Sequence, residues 1–353
     1  MITRSIHMNP AWQTHLRNHH AVIENNHVIH FGNMAAELRA TQSDTIMTDL
    51  SHFGLIRFSG EDAQSFLQGQ LSCDVREISL QKAQYGSYCT PKGRILASFL
   101  LWQHHDDCFM QLPTSLLASV QKRLSLFVLR AKVQITDASD TWIQIGIAGQ
   151  HVATLFEEIT GRKLSADQPM HIIHTEKVSI LCFSQQRMQL ITSTENAPAL
   201  WERLSQYAKP VGIGCWDWLN IRSGIPVILP ETQEAFLPQM VNLDAIGGVG
   251  FKKGCYPGQE IVARTQYLGK LKRRMFLAHI ATTQMIQPGD ALYSIDMEDQ
   301  SSGNIVNAAP SPCGGFDVLA VIQQSSAESH EIHWRSLNGP ALDIQSLPYS
   351  LNT

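Results

Sequence analysis

The chain has 353 residues, of which 44% are apolar and 16% are charged, and its formal net charge is −4 at pH 7. This composition is typical of a folded globular protein and excludes an intrinsically disordered chain. The length allows two or three domains, and the slightly acidic total excludes a general attraction of the whole protein to nucleic acid or to membranes.

Two kinds of targeting segment are missing from the pattern. No run of about 18 apolar residues occurs, so we expect no membrane span. The start of the chain, MITRSIHMNPAWQTHLRNHH, contains no apolar core and no small-residue cleavage site. We therefore expect no signal peptide and a cytoplasmic protein.

The cysteines are scattered along the chain and odd in number. They are Cys73, Cys89, Cys108, Cys182, Cys215, Cys255 and Cys313. No two of them lie within about five residues of each other, so the C-x-x-C pattern of zinc and redox sites does not occur. The pattern indicates reduced thiols in a cytosol-like compartment, and no metal site is predicted.

The predicted elements begin with a short helix near Trp12 to Arg17, inside a polar and histidine-rich start. From Leu55 the pattern sharpens, with a strand over LIRFSG and a helix over EDAQSFLQGQL. YGSYCT and ILASFLLWQ then form a hairpin around PKGR, because proline followed by glycine suits a tight turn. After one more strand, apolar residues at helical spacing predict a helix over residues 114–130, which Thr114 can cap.

The second half of the chain changes character twice. Between residues 141 and 210, the order strand, helix, strand, strand, helix is typical of a ferredoxin-like unit. Beyond about residue 275, short strands separated by glycine, proline and serine turns predict a small all-β barrel or sandwich. Strands and helices in mixed order, with hairpins, favour an α+β fold over a doubly wound sheet.

The segment FKKGCYPGQEIVARTQYLGKLKRR, residues 251–274, concentrates positive charge. It holds seven lysine or arginine residues and one glutamate, whereas the whole chain is acidic. Glycines flank Cys255 at positions 254 and 258, so we expect this cysteine on a tight, exposed turn. The adjacent Lys252 and Lys253 would stabilise a thiolate. The alternative is a partly buried thiol in a turn of solvated lysines.

A basic run ends this segment and consists of Lys270, Lys272, Arg273 and Arg274. It predicts either a solvated linker between domains or a site for an anion, which would be a carboxylate-rich small molecule, RNA phosphates or an acidic partner. Only one aromatic residue, Tyr267, lies near the run. The pattern therefore does not favour a platform on which bases stack.

Several blocks of the sequence resemble those of the YgfZ family. The proteins of that family bind folate and are related to the aminomethyltransferase of the glycine cleavage system. KGCYPGQE is similar to the K-G-C-Y-x-G-Q-E signature of that family and comprises Lys253, Gly254, Cys255, Tyr256, Pro257, Gly258, Gln259 and Glu260. FSGEDAQSFLQGQLSCDV, TPKGRIL, the segment 221–256 and the ending LPYSL resemble further blocks in the same order. The resemblance covers residues 45–353.

The resemblance implies a three-domain ring of the aminomethyltransferase/YgfZ type, with a central opening that holds tetrahydrofolate or a derivative. Residues 1–44 would be an N-terminal extension. Residues 45–140 plus 211–270 would form the folate-binding first domain, interrupted by a ferredoxin-like domain over 141–210. Residues 271–353 would form a C-terminal β-barrel domain.

Matching the blocks places Phe53 and Trp216 at positions of the aromatic cluster that binds folate in the family. Phe53 replaces the tryptophan of some relatives, which keeps a flat apolar face but removes an indole N–H donor. Asp74 and Asp244 are carboxylates near matched blocks. Each would either accept hydrogen bonds from the pterin ring or cap a turn.

Four further polar residues are candidates for the folate site. Arg94 and Arg222 would either pair with the glutamate tail of the folate or be ordinary surface arginines. Gln239 and Asn242 would either line the opening or tie loops together, because a buried amide needs hydrogen-bond partners.

The resemblance argues against glycine-cleavage chemistry. Related aminomethyltransferases carry an Asp-Asp pair after the hairpin, whereas this chain has Ala97 and Ser98 there, and Ala97 can neither accept a proton nor pair with an ammonium group. Whether the protein turns over a substrate is left open. The family role implies a helper in the assembly or repair of iron–sulfur enzymes, including those that modify tRNA, which acts through Cys255 on a partner protein. The alternatives are a folate-dependent one-carbon transferase and an RNA-binding module that uses the basic run.

Overall fold

A computed structural model describes residues 8–165, 169–267, 271–298 and 300–351. The helices in these ranges are α1 (Pro10–Asn18), α2 (Met34–Ser43), α3 (Ala63–Gln68), α4 (Thr114–Ser125), α5 (Val152–Thr160), α6 (Ala197–Leu204), α7 (Ile213–Arg222), α8 (Gln259–Tyr267) and α9 (Gln324–Ser329). Single 3₁₀ turns lie at Val75–Glu77, Pro230–Thr232, Pro238–Val241 and Ile295–Met297.

The strands alternate with these helices along the chain. They are β1 (Val22–Glu24), β2 (His27–His30), β3 (Ile46–Asp49), β4 (Phe53–Ser59), β5 (Gln84–Cys89), β6 (Ile95–His104), β7 (Asp107–Pro113), β8 (Gln134–Asp137), β9 (Trp142–Ala148), β10 (His171–His174), β11 (Val178–Ser184), β12 (Arg187–Ser193), β13 (Lys209–Pro210), β14 (Arg273–Ile280), β15 (Ala291–Tyr293), β16 (Gly303–Pro310), β17 (Phe316–Gln323), β18 (His333–Trp334) and β19 (Leu342–Gln345). The mixture of helices with antiparallel sheets confirms the predicted α+β class. Within the ranges described, none of the helices is both long and apolar enough to cross a membrane.

The chain divides into two compact units. The first unit contains Met1–Ala63, Glu77–Ala83 and Leu101–Trp216. The second unit contains Gln64–Arg76, Gln84–Leu100 and Asp217–Thr353. The four-part division that the sequence analysis predicts stays a prediction.

The first unit is built on a six-stranded sheet with the order β10-β11-β12-β9-β3-β13. Its strands pair antiparallel except β13, which runs parallel to β3. The predicted strand, helix, strand, strand and helix are present as β9, α5, β11, β12 and α6, and one further strand, β10, lies between α5 and β11. The sheet also recruits β3 from far upstream. Trp12 and Leu16 of α1 are buried in the same core as Trp201 of α6.

A second set of strands in this unit places β4 between β7 and β8, both antiparallel to it. The helix predicted over residues 114–130 begins at Thr114 as expected but ends at Ser125. The predicted cap is wrong, because the residue at the N-cap is Pro113 and the Thr114 hydroxyl donates instead to the carbonyl oxygen of His52, at 3.1 Å.

The second unit contains β5, residues 95–100 of β6 and the C-terminal sheet. β5 and β6 are neighbours, joined by a turn in which Gly93 has a φ of 71°. The C-terminal sheet has the order β18-β15-β16-β17-β14-β19. It curls into a half-barrel, and a bridge between His333 and Ala341 links the ends of its two edge strands. The predicted C-terminal β-barrel is confirmed in this form.

Candidate functional site around Cys255

The turn that carries Cys255 is exposed on one side and tightly packed on the other. Cys255 itself is an exposed free thiol. A Cβ atom added to Gly254 would meet nothing within 4 Å, whereas one added to Gly258 would lie 2.5 Å from the carbonyl oxygen of Thr90 and 2.6 Å from the Cα of Gly93. Gly258 also has a φ of 85°. Of the two flanking glycines, therefore, only Gly258 needs the unusual backbone, and it lets the start of α8 lie directly on the β5–β6 turn.

Lys253 is the second fixed point of this turn. It is only 8% exposed, and its ammonium donates to the carbonyl oxygens of Leu71 at 2.6 Å and Cys73 at 2.8 Å. Burial lowers the pKa of Lys253 to about 8. Its Nζ lies 5.0 Å from the ring centroid of Tyr256, within cation–π range. The ammonium thus holds the segment 71–73 against the motif, and an effect of Lys253 on the Cys255 thiol stays a prediction.

The remaining motif residues pack around this lysine. Tyr256 is buried, and the burial raises the pKa of its hydroxyl. The Gln259 side chain donates to the carbonyl oxygen of Lys253 at 3.3 Å. Ser72 donates through its hydroxyl to the carbonyl oxygen of Gly248 at 2.7 Å. Two of the blocks quoted above, 58–75 and 221–256, therefore meet at the motif.

The basic run does not form a continuous solvated patch. Arg274 and Asp244 are both about one-tenth exposed and form a bidentate ion pair with distances of 2.7 and 2.9 Å. The Arg274 guanidinium also donates to the carbonyl oxygen of Gln239 at 2.8 Å. Lys272 is exposed and Arg273 half-buried, while Lys270 lies outside the described residues.

Gln239 and Asn242 are buried, in and directly after the 3₁₀ turn Pro238–Val241, and their side-chain hydrogen bonds hold this turn in place. The Gln239 amide donates to the carbonyl oxygen of Val262 at 2.7 Å, and the Asn242 amide donates to that of Met275 at 2.9 Å. Asn242 has a φ of 59°, a conformation that asparagine adopts more readily than most residues. The Gln239 Oε1 atom is buried and accepts no hydrogen bond from any residue that the structure describes.

Asp74 is held by its own neighbours. Its carboxylate accepts two bonds from the Arg76 guanidinium, at 2.6 and 2.9 Å, and one from the Gln68 amide at 3.0 Å. These bonds, those from Arg76 first, lower the pKa of Asp74 to about 2. The backbone N–H of Arg76 also donates to the carboxylate at 3.2 Å, which closes a turn. A contact between Asp74 and a pterin stays a prediction.

The two candidate arginines differ in their surroundings. Arg94 donates to the carbonyl oxygen of Ala235 at 2.7 Å. Arg222 donates to the Gln345 side chain and lies 3.9 Å from the Asp317 carboxylate, and its side chain is 38% exposed. Arg222 thus keeps a solvent-facing part beside an established set of polar contacts.

Phe53 and Trp216 belong to the first unit. Trp216 is 2% exposed, and the guanidinium carbon of Arg187 lies 4.0 Å from its ring centroid. Phe53 is 8% exposed, with its ring 4.2 Å from that of His52. The other candidate residues, from Asp74 to Arg274, belong to the second unit. The Arg187 guanidinium thus covers the Trp216 ring, and folate stacking on Phe53 or Trp216 stays a prediction.

Two residues that pattern analysis missed organise the second unit. The Tyr349 hydroxyl donates to the carbonyl oxygen of Gly224 at 2.8 Å, and a Cβ on Gly224 would lie 2.6 Å from the Tyr349 ring. Asp317 accepts from the Trp218 indole at 2.7 Å and bonds to His279 at 2.8 Å. The ending LPYSL was a signal for Tyr349. Asp317 had none, because its partners come from distant parts of the chain.

Comparison with known proteins identifies the family. The family model of the GCVT N-terminal domain matches residues 9–249. The tRNA-modifying protein YgfZ of Colwellia psychrerythraea is 30% identical over 310 residues, which are 87% of this chain and 94% of that relative. The chain belongs to the YgfZ family. The YgfZ protein of Sodalis glossinidius is 29% identical over 309 residues, 86% of this chain and 93% of its own.

Among solved structures, the glycine cleavage system aminomethyltransferase T from Bartonella henselae matches with a TM-score of 0.76 and 16% identity, over 96% of both chains. This match shows that the YgfZ-family chain has an aminomethyltransferase-like fold. Of the two residues that the resemblance matches to the Asp-Asp pair, Ala97 is buried and Ser98 is engaged in hydrogen bonds. The Ser98 hydroxyl donates to the carbonyl oxygen of Pro226 at 3.0 Å and accepts from the N–H of Ile228 at 2.9 Å.

Proposed function

We propose that this YgfZ-family protein is a folate-binding helper in the assembly or repair of iron–sulfur enzymes, including enzymes that modify tRNA. It acts through Cys255. The observation that carries the proposal is an exposed thiol on a turn whose flanks are both fixed, by Lys253 on one side and Gly258 on the other. The name of the relatives, tRNA-modifying protein, supports the link to tRNA modification.

The chemistry of an exposed, well-positioned thiol suits this role. A thiolate is a nucleophile and a soft ligand that iron–sulfur clusters prefer. One cysteine supplies only one ligand, so the remaining ligands would come from the client protein or from the cluster's carrier. A fixed turn keeps the thiol outside the packed core, where a second protein can reach it.

Folate binding is supported by the fold and by two side chains of the second unit. The pterin ring carries an amino group and a ring N–H that need acceptors, and the buried Gln239 Oε1 is an acceptor without a donor among the described residues. The partly exposed Arg222 offers a cation for the glutamate tail. A bound reduced folate would supply one-carbon chemistry, but no carboxylate stands at Ala97 or Ser98 to position an amine for transfer. This favours the helper over the transferase. Roles for Phe53, Trp216, Asp74, Arg94 and Asn242 in folate binding remain part of the proposal.

The thiol is tested in cells that lack the protein. Wild type, Cys255→Ala and Cys313→Ala are expressed at matched abundance, and a [4Fe–4S] enzyme is assayed under oxidative stress. Cys313 is the matched control because it is also an exposed thiol of the second unit. We expect wild type and Cys313→Ala to restore activity and Cys255→Ala to fail. Equal rescue by all three would make Cys255 dispensable and would contradict the proposed mechanism.

Folate binding is tested separately by calorimetry. We expect wild type and Cys255→Ala to bind tetrahydrofolate equally. We expect Arg222→Gln to bind the tailed folate about tenfold more weakly, as for the loss of a charge-assisted hydrogen bond, while its affinity for a pterin without the glutamate tail is unchanged. If wild type does not bind, the folate part of the proposal fails, while the test of the thiol stands.

A further inference from the structure

Two histidines of the first unit face a glutamate from another helix. His15 and His19 are four residues apart, at the C-terminal end of α1, and Glu202 lies on α6. The Nε2 atoms of His15 and His19 lie 3.9 and 2.7 Å from the Oε1 atom of Glu202. The potential ligand atoms of all three side chains lie within 4.8 Å of one another.

Packing holds the two helices in this register. Asn9 caps α1 by accepting from the N–H groups of Ala11 and Trp12, and Pro10 starts the helix. Trp12 lies edge-on to Trp201, with ring centroids 5.5 Å apart, and both are fully buried. Because residues four apart on a helix share a face, burying Trp12 and Leu16 leaves His15 and His19 together beside α6.

His15 is prepared for a ligand. Its Nε2 atom is buried and makes no hydrogen bond with the part of the chain that the structure describes. Its ring stacks on Trp12 at 5.2 Å, which fixes its orientation. An orphaned nitrogen in this position costs free energy that a bound cation would offset.

We propose that His15, His19 and Glu202 form a binding site for a divalent transition-metal ion such as Zn²⁺. Two imidazoles and one carboxylate are a known donor set for zinc, with bonds of about 2.0–2.2 Å, and they leave one position for water. Ligands of a tetrahedral ion with such bonds lie about 3.3–3.6 Å apart. The observed separations of 2.7 and 3.9 Å fall on either side of this value, so small side-chain rotations complete the site.

The surroundings of the site decide how the ion enters and what it does. Glu202 is 56% exposed and His19 is 31% exposed, so an ion reaches the site from solvent. Once bound, it cross-links α1 to α6 and fastens the N-terminal helix to the core of the first unit. The sequence predicts no metal site because its cysteines are not closely spaced and because Glu202 lies far along the chain from His15 and His19.

The test uses the full-length protein without an affinity tag, stripped with a chelator and carrying Cys255→Ala and Cys313→Ala to remove the exposed thiols. Co²⁺ is titrated while its visible spectrum is recorded, and Zn²⁺ is then added as a competitor. We expect one Co²⁺ per chain with the intense bands of a low-coordinate site, displacement by Zn²⁺, and a higher melting temperature with Zn²⁺. His15→Ala and Glu202→Gln should each weaken binding by about tenfold or more.

His330→Ala is the matched control, because His330 is similarly exposed and lies 3.7 Å from the Asp296 carboxylate. We expect it to bind like the parent. If no Co²⁺ or Zn²⁺ binds, or if binding survives in both His15→Ala and His19→Ala, the cluster is only an ion pair between His19 and Glu202. Either result overturns the proposal.

Discussion

Two cations of the positive segment, residues 251–274, are buried in different ways. Lys253 hydrogen-bonds to the carbonyl oxygens of Leu71 and Cys73, and its pKa falls to about 8. Arg274 instead forms a bidentate pair with Asp244. Partial dipoles compensate a buried charge less completely than a carboxylate does, which is why the lysine gives up part of its proton affinity. Lys253 and Arg274 therefore serve packing, whereas Lys252, Arg264 and Lys272 of the same segment are exposed.

The largest expected loss of stability follows from breaking the ion pair between Arg274 and Asp244. Arg274→Met leaves Asp244 buried without its partner and should lower the free energy of unfolding by about 3–5 kcal/mol. Urea denaturation measures this change. Arg273→Met, whose side chain is more exposed, should change it by less than about 1 kcal/mol. Adding Asp244→Leu to Arg274→Met should recover most of the loss, and an equal loss in the double variant would contradict the ion-pair explanation.

The next largest loss of stability tests whether the Cys255 turn depends on the packing of Gly258 against the β5–β6 turn. Gly258→Ala forces a Cβ against the Thr90 carbonyl oxygen at a φ of 85° and should cost about 2 kcal/mol or more. Gly254→Ala places its Cβ in open space and should stay within about 0.5 kcal/mol of wild type. Thermal denaturation of both variants compares them. Similar melting temperatures for the two would show that the turn does not rest on the hairpin.

Replacing Lys253 should lower the free energy of unfolding by a smaller amount, and this loss should depend on pH. Lys253→Met removes donors from two buried carbonyls and should cost about 2 kcal/mol at pH 7. The folded pKa of about 8 lies below the unfolded value near 10.4. The folded state therefore releases its proton first, and the stability of wild type relative to the variant should rise between pH 8 and about 10.4. A flat or falling difference over that window, measured by urea denaturation, would contradict the lowered pKa of the buried Lys253 ammonium.

The smallest expected loss of stability concerns the ion pair between Arg76 and Asp74, which lies in the same unit. Arg76→Ala should cost about 0.5–1 kcal/mol at pH 7, because the arginine side chain is 62% exposed. The folded pKa of Asp74, about 2, lies below its unfolded value near 3.9. The advantage of wild type should therefore be complete above about pH 4 and be lost as the pH falls towards 2. Acid titration of both proteins in moderate urea measures it, and a constant difference would show that Arg76 does not set this pKa.

Local pattern was enough for several elements. Alternating apolar residues and the PKGR turn predicted β5 and β6, and helical spacing predicted the start of α4. Pattern failed where a distant strand joined a sheet, as β3 does beside β9. It also failed at the Thr114 cap, because proline already stands at the N-cap and a tertiary acceptor takes the hydroxyl.

The candidate site divides in the same way. Sequence placed Cys255 on a tight, exposed turn flanked by two glycines; the structure agrees on the exposed turn but gives only Gly258 a positive φ. The turn was predictable because glycine and proline act through the local backbone. Sequence could not assign partners to Lys253 or Arg274, because the local sequence does not indicate whether a charged side chain is exposed to solvent or buried in a core.

The amino-acid sequence by itself determined the family, the α+β class, the exposed motif cysteine and the positive segment around it. Only the tertiary structure decided which cations are buried, which carbonyls and carboxylates receive them, and that His15, His19 and Glu202 meet. The physical reason is the range of the interactions along the sequence. Backbone preferences and periodicity act over a few residues, whereas the groups that compensate a buried charge can come from any part of the chain.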